Sequence, residues 1–188
     1  MGYDKVQQTI LSVKEKATKN KATKMTTIDP SIIPVRQLVR NKCQFGCACF
    51  GKNFSCPPYV PSIKETQTML KEYRVGLLIE FVATNSIRQQ ELKEVMWELE
   101  REAFLAGLVK AFSFSGGPCR RCTTCMASEC IGMTIGAKGK CRYPELLRPS
   151  MESAGIDVFG LVEKLGWEIK TIEKKEQPFQ SYGLLLLE

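Results

Sequence analysis

Histidine is absent from this 188-residue chain. Its absence removes imidazole as a metal ligand and as a general base, and excludes Ser–His and Cys–His catalysis. Long apolar runs are missing too. The most compact, Val75 to Val82, has Glu80 inside it and is too short and too polar to span a bilayer. The opening residues, Met1-Gly2-Tyr3-Asp4-Lys5-Val6, carry no apolar core of a secretory signal. Val6 stands where a myristoylation sequence needs Ser or Thr. A cytoplasmic, reducing location with no membrane partner is therefore expected, and cysteines in that setting serve as metal ligands or redox groups rather than disulfides.

Cysteine is what the chain has in excess, with nine residues. The chain is long enough, at 44% hydrophobic, to bury a sizeable core, so metal is not needed merely for folding. Net charge is +7, from 27 basic and 20 acidic residues, which favours acidic partners. Five lysines between Lys14 and Lys24 make a local basic run. No groove-reading or aromatic RNA motif accompanies it, so no nucleic-acid partner is expected and the run reads as a solvated helix end.

The most informative cysteines are Cys119-x-x-Cys122-x-x-Cys125 with a later Cys141, three residues before Pro144. The x-x spacing turns three thiolates of one loop toward a common centre, and a cubane cluster takes its fourth ligand from further away. Zinc sites are more often built from two separated pairs, so zinc is the alternative. Cys130 lies within reach as an alternate ligand. Gly116, Gly117, Gly132, Gly136 and Gly139 let the backbone wrap closely. Arg120, Arg121, Lys138, Lys140, Arg142 and Arg148 surround the segment with positive charge, which raises the potential of a cluster or offers a docking face to an acidic electron carrier.

A second group, Cys43-x3-Cys47-x-Cys49-x6-Cys56-Pro57-Pro58, sits beside Gly46 and Gly51. Its opening x3 spacing is shared with radical-SAM loops, but those continue x2 where this one has x1, and the chain is short for that barrel. Either all four thiols bind a cluster or zinc, or three bind a cluster and leave one iron open for substrate. Some of the four could instead be ordinary buried thiols.

Hydrophobic periodicity supplies a coarse architecture. Val6, Ile10, Val13 and Ala17 predict a helix over residues 3–19, followed by a linker to Asp29-Pro30. Val35–Val39 is expected as a short strand, then a cysteine loop. Ser62-x-x-Glu65 is a capping box opening a helix to Tyr73. Val75–Val82 predicts a strand, 88–106 a helix stopped by Gly107, and Val109–Ser113 a second strand leading into the turn 115–118. Val158, Leu161, Val162 and Leu165 predict a helix before Gly166, with Asp157 favouring its start. Ser150 is expected to cap a short turn with Ser153, or the segment 148–157 to line a cluster pocket. Trp167–Ile172 and Tyr182–Leu187 predict two last strands. The expected fold is α/β of the α+β kind: a small mixed four-stranded sheet with packed helices, two cysteine-rich metal loops and a right-handed β-α-β unit, in a single domain 1–188 whose residues 1–30 form an arm and linker.

The blocks Cys43-Gln-Phe-Gly-Cys47, Ser55-Cys56-Pro57-Pro58-Tyr59, Cys141-Arg-Tyr-Pro144, Arg148-Pro149-Ser150-Met151-Glu152 and Gly155-Ile156-Asp157-Val158 resemble an uncharacterised cysteine-rich family of predicted metal-binding proteins from anaerobic prokaryotes, a domain of unknown function. The resemblance spans residues 35–170 and implies metal binding through both groups without supplying a reaction. The chain departs from the family pattern at Cys49 and in the long Cys125-to-Cys141 segment carrying Cys130. The resulting expectation is an iron–sulfur protein with one or two [4Fe-4S] clusters. Cys119, Cys122, Cys125 and Cys141 would hold one, and Cys43, Cys47 and Cys56, with Cys49, a second metal centre. It would pass electrons to an acidic carrier or a larger redox enzyme. Two alternatives belong to other classes: an enzyme using an open iron at the first group as Lewis acid, and a zinc-stabilised interaction module.

Overall fold

A computed structural model describes residues 3–130, 137–171 and 177–188. Among these residues the chain forms five α-helices and one four-stranded sheet, an α+β fold. The helices are α1 (Tyr3–Lys19), α2 (Gln37–Gly46), α3 (Ile63–Leu70), α4 (Ser86–Leu105) and α5 (Val158–Lys164). The strands are β1 (Ala22–Ile28), β2 (Gly76–Ala83), β3 (Phe112–Phe114) and β4 (Phe179–Leu186), in the order β1-β2-β4-β3. Every pairing is antiparallel.

The sheet is covered on both faces, and the alternation of β2 shows why. Leu77, Ile79, Phe81 and Ala83 pack with Leu185 and Leu187 against Val6, Ile10, Val13 and Ala17 of α1 and Leu92, Met96, Leu99 and Ala103 of α4. Leu78 faces the other way, joining Leu184, Leu186 and Phe114 against Leu161 and Val162 of α5 and the segment Met151, Ala154 and Ile156. Each large apolar side chain so buried contributes about 1.5–3 kcal/mol. At Gly183 the sheet and α4 come close: a Cβ there would strike the Met96 side chain of α4.

Local signals set the element ends. Ser62 accepts from the Glu65 amide while the Glu65 carboxylate accepts from the Ser62 amide, the predicted capping box. Asn85 caps α4 through the Arg88 amide, and Gly107, at φ +96°, lets the chain turn away beyond it. Asp157 caps α5 through the Gly160 amide. The Ser150–Ser153 turn forms as expected, with the Ser153 amide donating to Ser150 Oγ.

Several expectations are corrected. Residues 22–28 are strand β1 rather than linker, because Thr23–Thr27 are an edge strand whose polar side chains hide the period; the expected helix α1 packs into the core. Val35–Val39 is not a strand. Val35 makes an isolated bridge to Ile156, and α2 begins at Gln37, so Cys43 sits on a helix. The third strand begins later than expected, at Phe112. Residues 167–171 form no strand, and Ile172 lies outside the described residues, as do Gly132 and Gly136. The sheet is antiparallel rather than mixed because β4 inserts between β2 and β3, which run parallel to each other without pairing.

Candidate metal centre

The two cysteine groups meet at one end of the sheet, beside α4. The first runs off the end of α2: Cys43 lies in its last turn and Cys47 is its C-cap. Successive turns then carry Cys49 and Cys56, closed by the amide of Gly51, at φ +71°, donating to Pro57 O. The second follows β3 through Gly117, at φ +66°, and Pro118. Cys125 precedes a 3-10 turn, Met126–Glu129, and Cys141 follows another, Ala137–Lys140.

Cys119, Cys122, Cys125 and Cys141 line a single cavity of about 40 Å³, together with Phe54, Lys93, Trp97 and Arg148. A water needs about 10–15 Å³ of such space, so the cavity is a small one. Cys130 is buried instead in a small apolar cluster with Phe54 and Ala127, under the Tyr59 ring, whose hydroxyl donates to Ala127 O and Cys130 O. Cys43 and Cys47 border a separate, larger cleft, and Cys49 borders an open groove with Cys119, Cys122 and Cys125. All nine cysteines are free thiols. Among the described residues no three cysteine or carboxylate side chains are drawn together as a finished metal cage. The donor chemistry nevertheless fits a soft metal, since four thiols border the small cavity and its one carboxylate, Glu94, is paired with Arg121.

Polar residues along one face of α4 hold this site together. Gln90 Oε1 accepts from the Arg120 amide at 2.7 Å, Glu94 pairs with Arg121 at 2.8 Å, and Trp97 Nε1 donates to Glu145 O. Glu100 receives Arg148 and both the amide and hydroxyl of Ser113. Their spacing, 90, 93, 94, 97 and 100, is one helical face. The signal was in the sequence, but polar side chains on one face look like an exposed surface until something packs on them. From the first group, Ser55 Oγ accepts from the Cys119 amide at 2.8 Å. Arg142 reaches back to Thr124 O, and Arg121 lies over the Tyr143 ring.

Lys93 stands between the groups. Its ammonium donates to Ser115 Oγ at 2.7 Å and Gly117 O at 2.6 Å. Burial pulls its pKa down to about 8, opposed by the nearby Cys119, Glu152 and Cys56. Burial pushes the Cys56 thiol up to about 12, and raises Cys43, Cys49 and Cys141 as well. These thiols keep their protons without metal, whereas a coordinated cation removes them outright.

A helix-covered antiparallel sheet carrying two convergent cysteine loops, with thiols as the chief donors, defines a metal-binding class of protein. The chain belongs to the family of predicted metal-binding proteins DUF2284, a domain of unknown function, whose model matches residues 26–187. No curated protein and no solved structure matches it. Among the described residues, no helix is long and apolar enough to cross a membrane.

Proposed function

We propose that this metal-binding protein is an iron–sulfur protein that passes electrons as a cytoplasmic accessory of a larger anaerobic enzyme system. In this reading Cys119, Cys122, Cys125 and Cys141 hold a [4Fe-4S] cluster, and Cys43, Cys47 and Cys56, with Cys49, hold a second metal centre. The observation that supports it is the single small cavity bordered by the sulfurs of 119, 122, 125 and 141. When bound, the cluster supplies one-electron storage at a potential tuned by its surroundings. The chain supplies those surroundings. Lys93 places positive charge beside both groups, and Arg148 borders the cavity. The exposed Arg120, Lys140 and Arg142 offer an acidic carrier a complementary face. Cys130 is assigned to packing under Tyr59.

Protein isolated without oxygen is expected to contain iron and acid-labile sulfide, about four of each per cluster, and to give an electron paramagnetic signal on reduction with dithionite. Protein that holds only zinc, anaerobically reconstituted or not, overturns the reading in favour of a zinc-stabilised interaction module.

A second reading makes the first group a catalytic centre with an open iron acting as Lewis acid. The cleft that borders Cys43 and Cys47 favours it. Cys49→Ala is then expected to retain the centre, with added small thiols shifting its absorption. A spectrum indifferent to every added ligand counts against it.

A further inference from the structure

The cleft beside Cys43 and Cys47 has a volume of about 460 Å³. That lies within the range of small-molecule sites, roughly 300–1,000 Å³. It differs in kind from the small cavity of the second cysteine group. Its walls are largely apolar, built by Val39 of α2, Val158 and Phe159 of α5, Ile169, and Phe179 of β4. Glu152 also borders it, and Glu152 Oε2 is buried without a hydrogen-bond partner among the described residues.

A buried carboxylate oxygen without a donor is costly, and such an atom calls for a ligand or an ordered water. Lys42 and Lys170 also border the cleft, Lys170 paired with Glu168, and two further cations of this region are engaged elsewhere. Lys93 donates to Ser115 Oγ and Gly117 O, and Arg40 donates to Ser153 O and Pro61 O. Asp157, the other carboxylate of the cleft, already pairs with Arg36 and caps α5. Glu152 thus keeps an unpaired acceptor atom at the wall of a largely apolar cleft. A carboxylate accepts and does not donate, so its complement must bring an N–H or O–H.

We propose that this cleft binds a small organic molecule with an apolar, ring-sized body and one nitrogen or oxygen donor, the donor on Glu152 and the body against Val158, Phe159, Ile169 and Phe179. Such a molecule would lie against Cys43 and Cys47 of the first cysteine group. The inference goes beyond the electron-transfer reading and does not depend on which metal the cysteines take.

Calorimetric titration of the full chain, with its native metal, tests it using benzylamine, benzyl alcohol and phenylacetate as probes. Benzylamine is expected to bind saturably, benzyl alcohol more weakly, and phenylacetate, which only accepts at neutral pH, at least about tenfold more weakly than benzylamine. Glu152→Gln is expected to weaken benzylamine by about tenfold, since a charged acceptor forms the stronger hydrogen bond. Phe159→Ala removes a half-exposed side chain of α5 and is expected to weaken benzylamine and benzyl alcohol alike, which keeps the test open if Glu152→Gln fails to fold. Absence of saturable heat, equal affinity for benzylamine and phenylacetate, or indifference to both substitutions overturns the proposal. Metal and sulfide analysis of the same samples separates the two readings. Zinc-only protein that binds benzylamine through Glu152 sinks electron transfer and keeps the cleft; iron-loaded protein that ignores all three probes does the reverse.

Discussion

The Ser55 hydroxyl accepts a hydrogen bond from the Cys119 amide at 2.8 Å, joining the two cysteine groups across 64 positions of sequence. Ser55 is fully buried and precedes Cys56, so one residue couples the first group's one buried thiol to the first ligand candidate of the second.

Ser55→Ala removes that acceptor and leaves the Cys119 amide without it. A loss of about 1–3 kcal/mol in unfolding free energy is expected, measured by urea denaturation. Faster release of metal to a chelator should accompany it. Unchanged release would show that the two groups close independently.

Two arginines of the second loop are expected to behave differently. Arg148 pairs with the buried Glu100, and lies over the Phe112 ring. Arg148→Met strands a buried carboxylate and should cost about 3 kcal/mol. Arg121, paired with the half-exposed Glu94, should cost under about 1 kcal/mol on the same substitution. Denaturant midpoints of both variants check the contrast; equal losses would contradict it.

The Tyr182 hydroxyl donates to Glu80 at 2.9 Å inside the sheet. Burial first, then that hydrogen bond and the Glu80 charge, raise its pKa above the ordinary phenol value. The folded phenol therefore keeps its proton at pH values where the unfolded one, near pH 10, loses it. The native state then binds more protons, so stability falls as pH rises past about 10. Tyr182→Phe should make that alkaline slope shallower, the raised thiols of Cys43, Cys49, Cys56 and Cys141 supplying the remainder. At neutral pH it should cost about 1 kcal/mol, since Thr23 and Gln180 still donate to Glu80. Denaturation curves at stepped pH values measure both effects.

Cys125 and Cys130 should part company on substitution. Cys125→Ala is expected to lose the second group's metal with modest change in fold. Cys130→Ala, at a buried apolar position, should keep the metal and lose about 1 kcal/mol of stability to the vacated volume. Metal content beside thermal denaturation distinguishes them, and metal loss in Cys130→Ala would make Cys130 a ligand.

Much of the helical architecture was legible because its causes are local. The Val6–Ile10–Val13–Ala17 stripe, the Ser62–Glu65 box and the Asp157 cap each lie within a few residues, and each stands in the structure. The strand β1 was not legible, since an edge strand rich in Thr and Lys has the composition of a linker. Cys43 appeared to lie in a loop because its helix α2 buries no residue fully, so no continuous apolar stripe marks it. The site was half legible. Thiol spacing pointed to the residues that border the small cavity, but Gln90, Lys93 and Glu94 have no motif of their own.

By itself, the sequence determined the chemistry on offer: soft sulfur donors without imidazole, on loops between elements whose periods and caps are local. Only the tertiary structure decided that β4 enters between β2 and β3, that Ser55 meets Cys119, and that Glu152 is left without a donor. Those outcomes join residues far apart in the chain, and they depend on which apolar faces bury together across the sheet, a global competition that no short window contains.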